Sequence, residues 1–122
     1  MGNVIADKSF DFAIKIVRLS KKLRESKDYE LASQILKSGT SIGANIAEAQ
    51  KAQSKKDFLA KMYIALKEAN ETIFWLRLLY ATDILDTETF GELSRDIHEI
   101  ERILNSITKS TAQRLKDEKP KP

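Results

Sequence analysis

Apolar residues recur along the chain at alternating steps of three and four, the spacing that places side chains on one face of an α-helix. Short polar breaks divide this pattern, and no segment shows the two-residue alternation of a half-buried β-strand. The pattern predicts helices at residues 7–24, 29–52, 55–81 and 87–112. Because the breaks are short, we expect consecutive helices to lie antiparallel. The predicted fold class is therefore all-α, an antiparallel up-down-up-down four-helix bundle.

The predicted first helix carries two apolar stripes. Its core seam consists of Phe12, Ile16, Leu19 and Leu23. Phe10, Ile14 and Val17 form a second stripe beside this seam. A helix on the outside of a monomer needs only one apolar stripe, about 100° wide. The second stripe indicates self-association, with deep burial of the helix as the alternative.

The predicted third and fourth helices show the heptad spacing of a bundle seam. The seam of the third helix consists of Leu59, Met62, Leu66, Ala69, Ile73, Leu76 and Tyr80. Apolar residues off that seam are Phe58, Ile64, Phe74, Trp75, Leu78 and Leu79. The seam of the fourth helix consists of Phe90, Leu93, Ile97, Ile100, Leu104 and Ile107. The third helix, like the first, thus has more apolar surface than one seam uses.

Capping residues mark where the later helices begin. Ser54, followed by Asp57, resembles a capping box in which Asp replaces the usual Glu or Gln. Either Asp86 or Thr87 caps the fourth helix. We expect this helix to fray after Thr111, and the charged tail 116–122, which ends in proline, to be disordered. The bundle is then a single domain, residues 1–115.

Small residues recur every four positions in the second helix, at Gly39, Gly43 and Ala47. A glycine inside a helix costs about 1 kcal/mol relative to alanine, so we expect a compensating interaction. We predict close packing of a neighbouring helix on this ridge. A phosphate-binding loop is the weaker alternative, because no Gly-Lys-Ser/Thr follows and no strand precedes.

Polar residues around the same stretch predict a buried polar network. Its candidate members are Ser41, Asn45, Glu48, Glu68 and Asn70. If the second and third helices pair about residue 53, Lys61 or Lys55 reaches Glu48. The same pairing brings Thr40 or Ser41 within reach of the two members on the third helix. An unpaired buried polar group costs about 1–3 kcal/mol, so we predict pairing that fixes helix register or a subunit interface.

The composition suits a helical domain and excludes cysteine-dependent sites and a membrane-spanning segment. The 122 residues are 42% hydrophobic and 32% charged, and a chain of this length buries about two thirds of its unfolded surface. The chain has no cysteine, which excludes disulfides, thiolate catalysis and cysteine zinc sites. No apolar run approaches the ~18 residues of a membrane span, and the first residues lack a signal-peptide pattern. We expect a cytoplasmic protein without membrane contact.

Positive charge is concentrated in the first half of the chain. Residues 1–61 contain 12 Lys/Arg against 7 Asp/Glu, whereas residues 62–122 contain 9 against 11. This asymmetry permits an anionic partner such as RNA or DNA. The candidate nucleic-acid-binding residues, on the first helix and around the second turn, are Lys15, Arg18, Lys21, Lys22, Lys51, Lys55 and Lys56. No aromatic residues alternate with them, so we expect sequence-tolerant phosphate contacts; an ordinary solvated surface is the alternative.

Catalysis has little to build on in this sequence. The only histidine is His98, beside Glu99 and Glu101, and we interpret it as a solvated residue. No cluster of metal ligands occurs at a fixed spacing, and no serine or threonine has a base close by in sequence. We predict no enzyme activity, no metal or other cofactor, and no small-molecule substrate.

Two stretches are distinctive enough to compare with known families. One is KSGTSIGANIAEA at residues 37–49; the other is AQSKKDF at 52–58, continued by ALKEANET at 65–72 and Trp75-Leu76. Together they resemble the 23S rRNA intervening-sequence protein family of small four-helix bundle proteins. These motifs cover about a third of the chain, and the first and fourth helices match in pattern alone.

The resemblance implies an all-helical bundle that assembles into a ring-shaped homo-oligomer, typically a homopentamer, with no known enzyme activity. Some relatives are encoded within insertions in large-subunit ribosomal RNA genes. The related accessory variability proteins of diversity-generating retroelements bind nucleic acid and a reverse transcriptase through basic surface. The hypothesis that follows is a non-catalytic, self-assembling, nucleic-acid-binding accessory protein. The alternative is a protein–protein interaction scaffold that binds no nucleic acid.

Overall fold

The structure, a computed structural model, describes residues 3–118 of the chain. Its α-helices are α1 (Val4–Glu25), α2 (Tyr29–Ala49), α3 (Lys55–Ala81) and α4 (Thr87–Asp117). No strand occurs within residues 3–118. The predicted all-α class with four helices is confirmed.

The helices surround one apolar core. α1 packs against α2 and α4, and α3 packs against the same two helices. α1 and α3 therefore lie at opposite corners of the bundle. The large apolar side chains that are fully buried are Phe12, Ile16, Ile35, Ile42, Ile46, Met62, Leu76, Leu79, Ile97, Ile100 and Leu104. Burying each contributes about 1.5–3 kcal/mol, which makes this core the main source of stability.

The predicted core seam agrees with the structure on α1 and differs on α3. All four seam residues of α1 are buried, as are the central seam residues of α4. The buried residues of α3 are Met62, Ala65, Ala69, Thr72, Leu76 and Leu79. The prediction omitted Ala65 and Thr72, because small and hydroxyl side chains carry weak apolar signals in a sequence. It also placed Tyr80, which is exposed, on the seam and Leu79, which is fully buried, off it. The Thr72 hydroxyl donates to the Glu68 carbonyl 2.8 Å away, which satisfies it inside the core.

α1 packs on the glycines of α2. A Cβ built on Gly39 would lie 2.8 Å from Ile16 Cγ2, and one on Gly43 would lie 3.4 Å from the Ser9 carbonyl oxygen. Close packing therefore occurs at these two positions. Ala47 is exposed, and its inclusion in the ridge is wrong. Each four-residue step turns about 40° around a helix, so the third member has rotated out of the contact.

The α1–α2 and α3–α4 turns end the preceding helices in the same way. In each, a non-glycine residue adopts the left-handed conformation: Lys27 with φ 67° and Asp83 with φ 62°. The Asp28 amide donates to the Leu23 carbonyl at 2.8 Å, and the second turn repeats this bond. These are Schellman motifs, in which glycine is the usual left-handed residue.

The N-caps predicted from the sequence are present. Ser54 Oγ accepts a hydrogen bond from the Asp57 amide at 3.0 Å, and Asp86 Oδ1 accepts one from the Thr89 amide at 2.9 Å. Hydrogen bonds from Thr89 hold the pKa of the Asp86 carboxyl below its usual value. α1 begins before the predicted residue 7, since Asn3 Oδ1 accepts from the Ala6 amide.

Two helix ends differ from the prediction. α2 ends at Ala49 rather than at 52, because its last turn tightens into bonds between amides and carbonyls three residues apart. α4 continues to Asp117, beyond the predicted end at 112 and into the tail that was expected to be disordered. Thr108 and Thr111 keep the end of α4 against the core, and Lys55 Nζ lies 2.6 Å from Glu118 Oε2. The rest of that tail, residues 119–122, lies outside the described residues.

Candidate functional site

The basic residues of α1 lie beside an acidic row on α4. Lys15 Nζ lies 2.7 Å from Asp96 Oδ2 and 2.9 Å from Glu92 Oε2, and Lys8 Nζ lies 2.9 Å from Glu99 Oε1. The hydrogen bonds to Asp96 and then Glu92 raise the pKa of Lys15. Lys15 is thus a tie between α1 and α4, and its positive charge is locally neutralised.

Three other basic residues of α1 remain available for an anionic partner. Arg18, Lys21 and Lys22 are exposed. None of them forms an ion pair with another residue in the range 3–118. Arg18 and Lys22 line a shallow groove with Glu92, so the surface there has mixed charge. Among the candidates on α1, the exposed positive charges that no ion pair within residues 3–118 neutralises are therefore Arg18 and Lys22, beside Glu92, and Lys21.

The second basic group lies at the other end of the bundle. Asn3 Nδ2 donates to Gln50 Oε1 at 2.7 Å, so the α2–α3 turn lies at the end of the bundle where α1 begins. Lys51 and Lys56 are exposed there, whereas Lys55 pairs with Glu118. The seven candidate nucleic-acid-binding residues thus lie on two separate surfaces of one protomer. Two of them, Lys15 and Lys55, form ion pairs with acidic residues.

The signal that would have identified the paired lysines is present in the sequence. Glu92, Asp96 and Glu99 follow steps of four and three, so they form one stripe of α4. That stripe faces α1, where Lys8 and Lys15 are seven residues apart. Two matched stripes of opposite charge predict an interhelical contact rather than two solvated faces. Contact with Lys8 lowers the pKa of Glu99, and contact with Lys15 lowers that of Glu92.

The predicted buried polar network does not form within residues 3–118. Ser41 Oγ donates to the Lys37 carbonyl at 2.6 Å, and Asn45 Nδ2 donates to the Ser41 carbonyl at 2.8 Å. These local bonds satisfy the polar groups within α2, so neither reaches α3. Glu48 and Asn70 are exposed. Glu68 is half-buried, and it accepts a hydrogen bond from Thr72 through its backbone carbonyl rather than its carboxylate.

One predicted pair of that group does occur. Lys61 Nζ lies 3.3 Å from Glu48 Oε1, across the α2–α3 interface. Thr40 Oγ1 donates to the Leu36 carbonyl at 2.6 Å, rather than to α3. Among the buried side-chain polar atoms of residues 3–118, the one without a hydrogen-bond partner is the hydroxyl of Ser38, which is only 1% exposed. Thr40, Ser41 and Asn45 thus bond within their own helix, and the Lys61–Glu48 ion pair is the predicted contact that joins α2 to α3.

The second apolar stripe of α1 is on the surface. Phe10 is 67% exposed, and Ile14 and Val17 continue the stripe over the next two turns. The stripe is on the side of α1 that faces away from the core residues Phe12 and Ile16. Deep burial of α1 in the protomer is therefore excluded, and the stripe is an apolar surface without a covering partner among residues 3–118.

α3 has an apolar surface of its own at the opposite corner of the bundle. Tyr63, Ile64 and Phe74 are exposed large side chains on this helix. Toward the end of α3 the surface deepens into a groove of about 370 Å³ between α3 and α4. Its lining residues are Phe74, Arg77, Leu78, Tyr80, Ala81 and Phe90. The Tyr80 and Phe90 rings stack at 4.3 Å between centroids and 7° between planes.

The remaining candidates for chemistry are isolated. His98 is exposed, and its Nδ1 lies 2.7 Å from the Ser94 carbonyl oxygen one turn before it. Among residues 3–118 no three His, Cys, Asp or Glu side chains are grouped as a metal site would require. None of the four described helices combines the length and apolar character needed to cross a membrane.

Comparison with known proteins shows the family that this chain matches. The family model described as 23S rRNA-intervening sequence protein matches residues 2–106. A crystal structure of a Bacteroides thetaiotaomicron protein is similar over 86% of this chain and 98% of its own, at 51% identity and a TM-score of 0.84. That protein is described as having unknown function and as coming from the S23 ribosomal protein family. The search of curated proteins found no match.

Proposed function

The chain belongs to the 23S rRNA-intervening sequence protein family, and from that premise we propose that it is a non-catalytic, self-assembling accessory protein that binds nucleic acid. In this proposal the protomers form a ring-shaped homo-oligomer, a homopentamer, in the cytoplasm. The observation that supports self-assembly is the pair of apolar surfaces on the outer sides of α1 and α3. Surfaces of this kind on a protein of this size mark interaction sites.

The up-down-up-down arrangement is part of the same proposal. It is supported by contacts between helix ends that are distant in sequence. Asn3 contacts Gln50 at one end of the α1–α2 pair, and Arg24 Nη2 donates to Ser33 Oγ at 3.1 Å toward the other. In the α3–α4 pair, the Lys55–Glu118 ion pair and the Tyr80–Phe90 stack mark the two ends in the same manner.

Nucleic-acid binding in this proposal depends on repetition of a weak basic surface. Arg18, Lys21 and Lys22 supply three exposed positive charges in each protomer, and Lys51 and Lys56 supply two more at the other end. Affinity for phosphates rises with the number of contacts and falls with salt. Five copies in a ring multiply a surface that is too mixed in charge to hold RNA or DNA tightly as a monomer.

Light scattering combined with fluorescence anisotropy tests both parts of the proposal. We expect a mass several times that of the 13.9 kDa chain, and binding of random RNA and DNA that weakens steeply with salt. The double variant R18E/K21E should weaken binding at least about tenfold at low salt. The matched control K109E/K116E makes the same change in net charge on α4 and should bind nearly as wild type.

Two results would contradict this function. An assembled protein that binds no nucleic acid at low salt would favour a protein–protein interaction scaffold, whose partner docks on the apolar surfaces. Equal loss of binding in both double variants would show that net charge, rather than the α1 surface, governs binding. A monomeric wild-type protein would contradict the self-assembly itself.

A further inference from the structure

We infer that Phe10 of one copy of the chain inserts into the aromatic groove between α3 and α4 of the next copy. The inference rests on the proposed self-assembly and adds to it the two surfaces that meet. They are unlike surfaces, so the contact is head-to-tail and repeats around a ring.

Phe10 has the properties of an interface anchor. It is the most exposed of the large apolar side chains described, at 67%. Ile14 and Val17 extend the apolar surface from it along α1. Aromatic side chains that enter a pocket on a partner contribute a large share of interface affinity, because they bury much area with few rotatable bonds. An isolated protomer leaves this side chain in water.

The groove is a preformed receptor for such a side chain. Its floor is the stacked pair Tyr80 and Phe90, and its wall is Phe74, 54% exposed. The Phe74 ring is held edge-on to Trp75 at 5.1 Å between centroids. The Trp75 indole in turn donates to Glu71 Oε1 at 3.4 Å. The groove, of about 370 Å³, has room for a phenyl ring between side chains that already contact one another.

The charges around the two surfaces are complementary. Asp7 lies one helical turn before Phe10 on the same side of α1. Arg77 lines the groove. Both are exposed, and neither forms an ion pair with another residue between 3 and 118. The carboxylate beside the inserted ring therefore complements the guanidinium beside the groove, which favours this pairing over other apolar contacts.

The two surfaces overlap in height along the bundle. The Lys15–Glu92 and Lys15–Asp96 ion pairs place residue 15 of α1 level with about residue 94 of α4. The Tyr80–Phe90 stack places residue 90 level with residue 80 of α3. Phe10 is consequently level with about residue 71 of α3, and Val17 is level with about residue 78. Phe10 therefore reaches the groove at the end that Phe74 forms, with neighbouring bundles tilted or offset by about one helical turn.

A protomer cannot fill its own groove. α1 and α3 occupy opposite corners of the bundle and pack on α2 and α4 rather than on each other. Their outer surfaces therefore face away from one another, and only a second copy can bring Phe10 to the groove. This geometry leaves one free stripe and one free groove at each step, so the contact propagates until the ring closes.

The first test measures the mass of variants by light scattering at fixed protein concentration. F10S and F74S should each raise the dissociation constant of the assembly at least about 100-fold, so that both run as 13.9 kDa monomers. The control Y29S truncates an equally exposed aromatic at the start of α2 and should keep the wild-type mass. Because all three side chains are on the surface, helicity by circular dichroism should be unchanged. Wild-type mass in either F10S or F74S overturns the inference and leaves self-assembly standing.

A mixing experiment tests whether the two surfaces meet each other. F10S retains an intact groove, and F74S retains an intact Phe10. A mixture of the two monomeric variants should form a one-to-one dimer that grows no further, since only one complete contact remains. A mixture that stays monomeric overturns the pairing. Wild-type protein of monomer mass would overturn the proposed function as well as this inference.

Exchange of the flanking charges gives an independent test. D7R and R77D should each weaken assembly about tenfold or more, because each places like charges at the rim of the contact. The combined variant D7R/R77D should recover most of the wild-type association constant. No recovery in the combined variant would show that Asp7 and Arg77 do not face each other across the interface.

Discussion

Replacing Gly39 by alanine tests the packing of α1 on α2 more directly than any other single change. A Cβ at this position would lie 2.8 Å from Ile16 Cγ2, 2.9 Å from Cγ1 and 3.2 Å from Cβ. Ile16 is fully buried. Rotation about its χ1 moves the two γ carbons but leaves the 3.2 Å contact with Cβ. Since apolar carbons separate by ~3.5–4 Å, relieving the shortest contact requires α1 to retreat by about 0.7 Å or the core to rearrange.

Two opposing effects decide whether G39A raises or lowers the free energy of unfolding. Overpacking a well-packed core costs about 1–3 kcal/mol. Alanine recovers about 1 kcal/mol of helix propensity relative to glycine. We expect G39A to lower the free energy of unfolding by about 1–2 kcal/mol, because the overlap involves atoms that cannot move separately from α1.

Two variants isolate the overlap from helix propensity. In G43A the nearest atom to the new Cβ is the Ser9 carbonyl oxygen at 3.4 Å, an ordinary contact. G43A should therefore be neutral or up to about 1 kcal/mol more stable. I16A should be destabilised by the cavity that it leaves, but it removes the γ-carbon contacts at 2.8 and 2.9 Å. G39A and I16A should therefore be less destabilising together than the sum of the two.

The assay is urea and thermal unfolding followed by circular dichroism, at one protein concentration because assembly shifts apparent stability. Equal or greater stability of G39A than of wild type would refute the reasoning. So would simple additivity of G39A with I16A, because the destabilisation would then have a source other than Ile16.

Three further predictions concern hydrogen bonding, backbone strain and pH. S38A should be neutral or about 1 kcal/mol more stable, because the buried Ser38 hydroxyl has no partner. S20A should lower the free energy of unfolding by about 1 kcal/mol, since Ser20 Oγ donates to a carbonyl of α2 at 3.0 Å. A lower free energy of unfolding for S38A than for S20A, measured with urea, would contradict this. K27G should raise the free energy of unfolding by roughly 0.5–1 kcal/mol by relieving the left-handed conformation, whereas K27A should not; equal effects of the two would exclude strain as the cause. The lowered pKa values of Glu92 and Glu99 contribute stability that is present above an ordinary glutamate pKa of ~4.3 and is lost as pH falls through their folded values. Melting between pH 6 and pH 3 should therefore fall more steeply in wild type than in E92Q/E99Q, and parallel curves would refute a role for these ion pairs.

The fold could be predicted from the sequence because its signals are long and local. Steps of three and four between large apolar residues identified the buried faces of α1 and α4. Ser54, and Asp86 or Thr87, marked helix starts because short polar side chains accept hydrogen bonds from the first free amides of a helix, as Ser54 and Asp86 do. The α3 face was misplaced because Ala65 and Thr72 have small or polar side chains. Whether such residues are buried depends on the neighbouring helix, and no local pattern reports that.

The candidate site was predictable only as a list of charges. Which lysines are free depends on the acids that face them, and these come from elements far along the chain. Lys15 is about 80 residues from its partners on α4, at separations of 77 and 81. Lys55 meets Glu118 only because α4 continues into a segment that its composition marked as a tail. The polar residues of α2 were misassigned for a related reason, since bonds to carbonyls four residues back compete with partners on another helix.

The stripe of α1 connects the two proposals. Lys21 follows Phe10, Ile14 and Val17 by the next four-residue step, so it lies at the end of the surface that a neighbouring copy would cover. Arg18 and Lys21 would then recur once at every subunit contact of the ring. Linked binding sites gain affinity through effective concentration, by factors of about 10² or more. The uncharged variant F10S should consequently lose nucleic-acid affinity on that scale together with its mass, although it removes no positive charge. If monomeric F10S binds random RNA as tightly as the wild-type assembly in the same salt, one copy of the basic surface suffices and assembly serves a purpose other than binding.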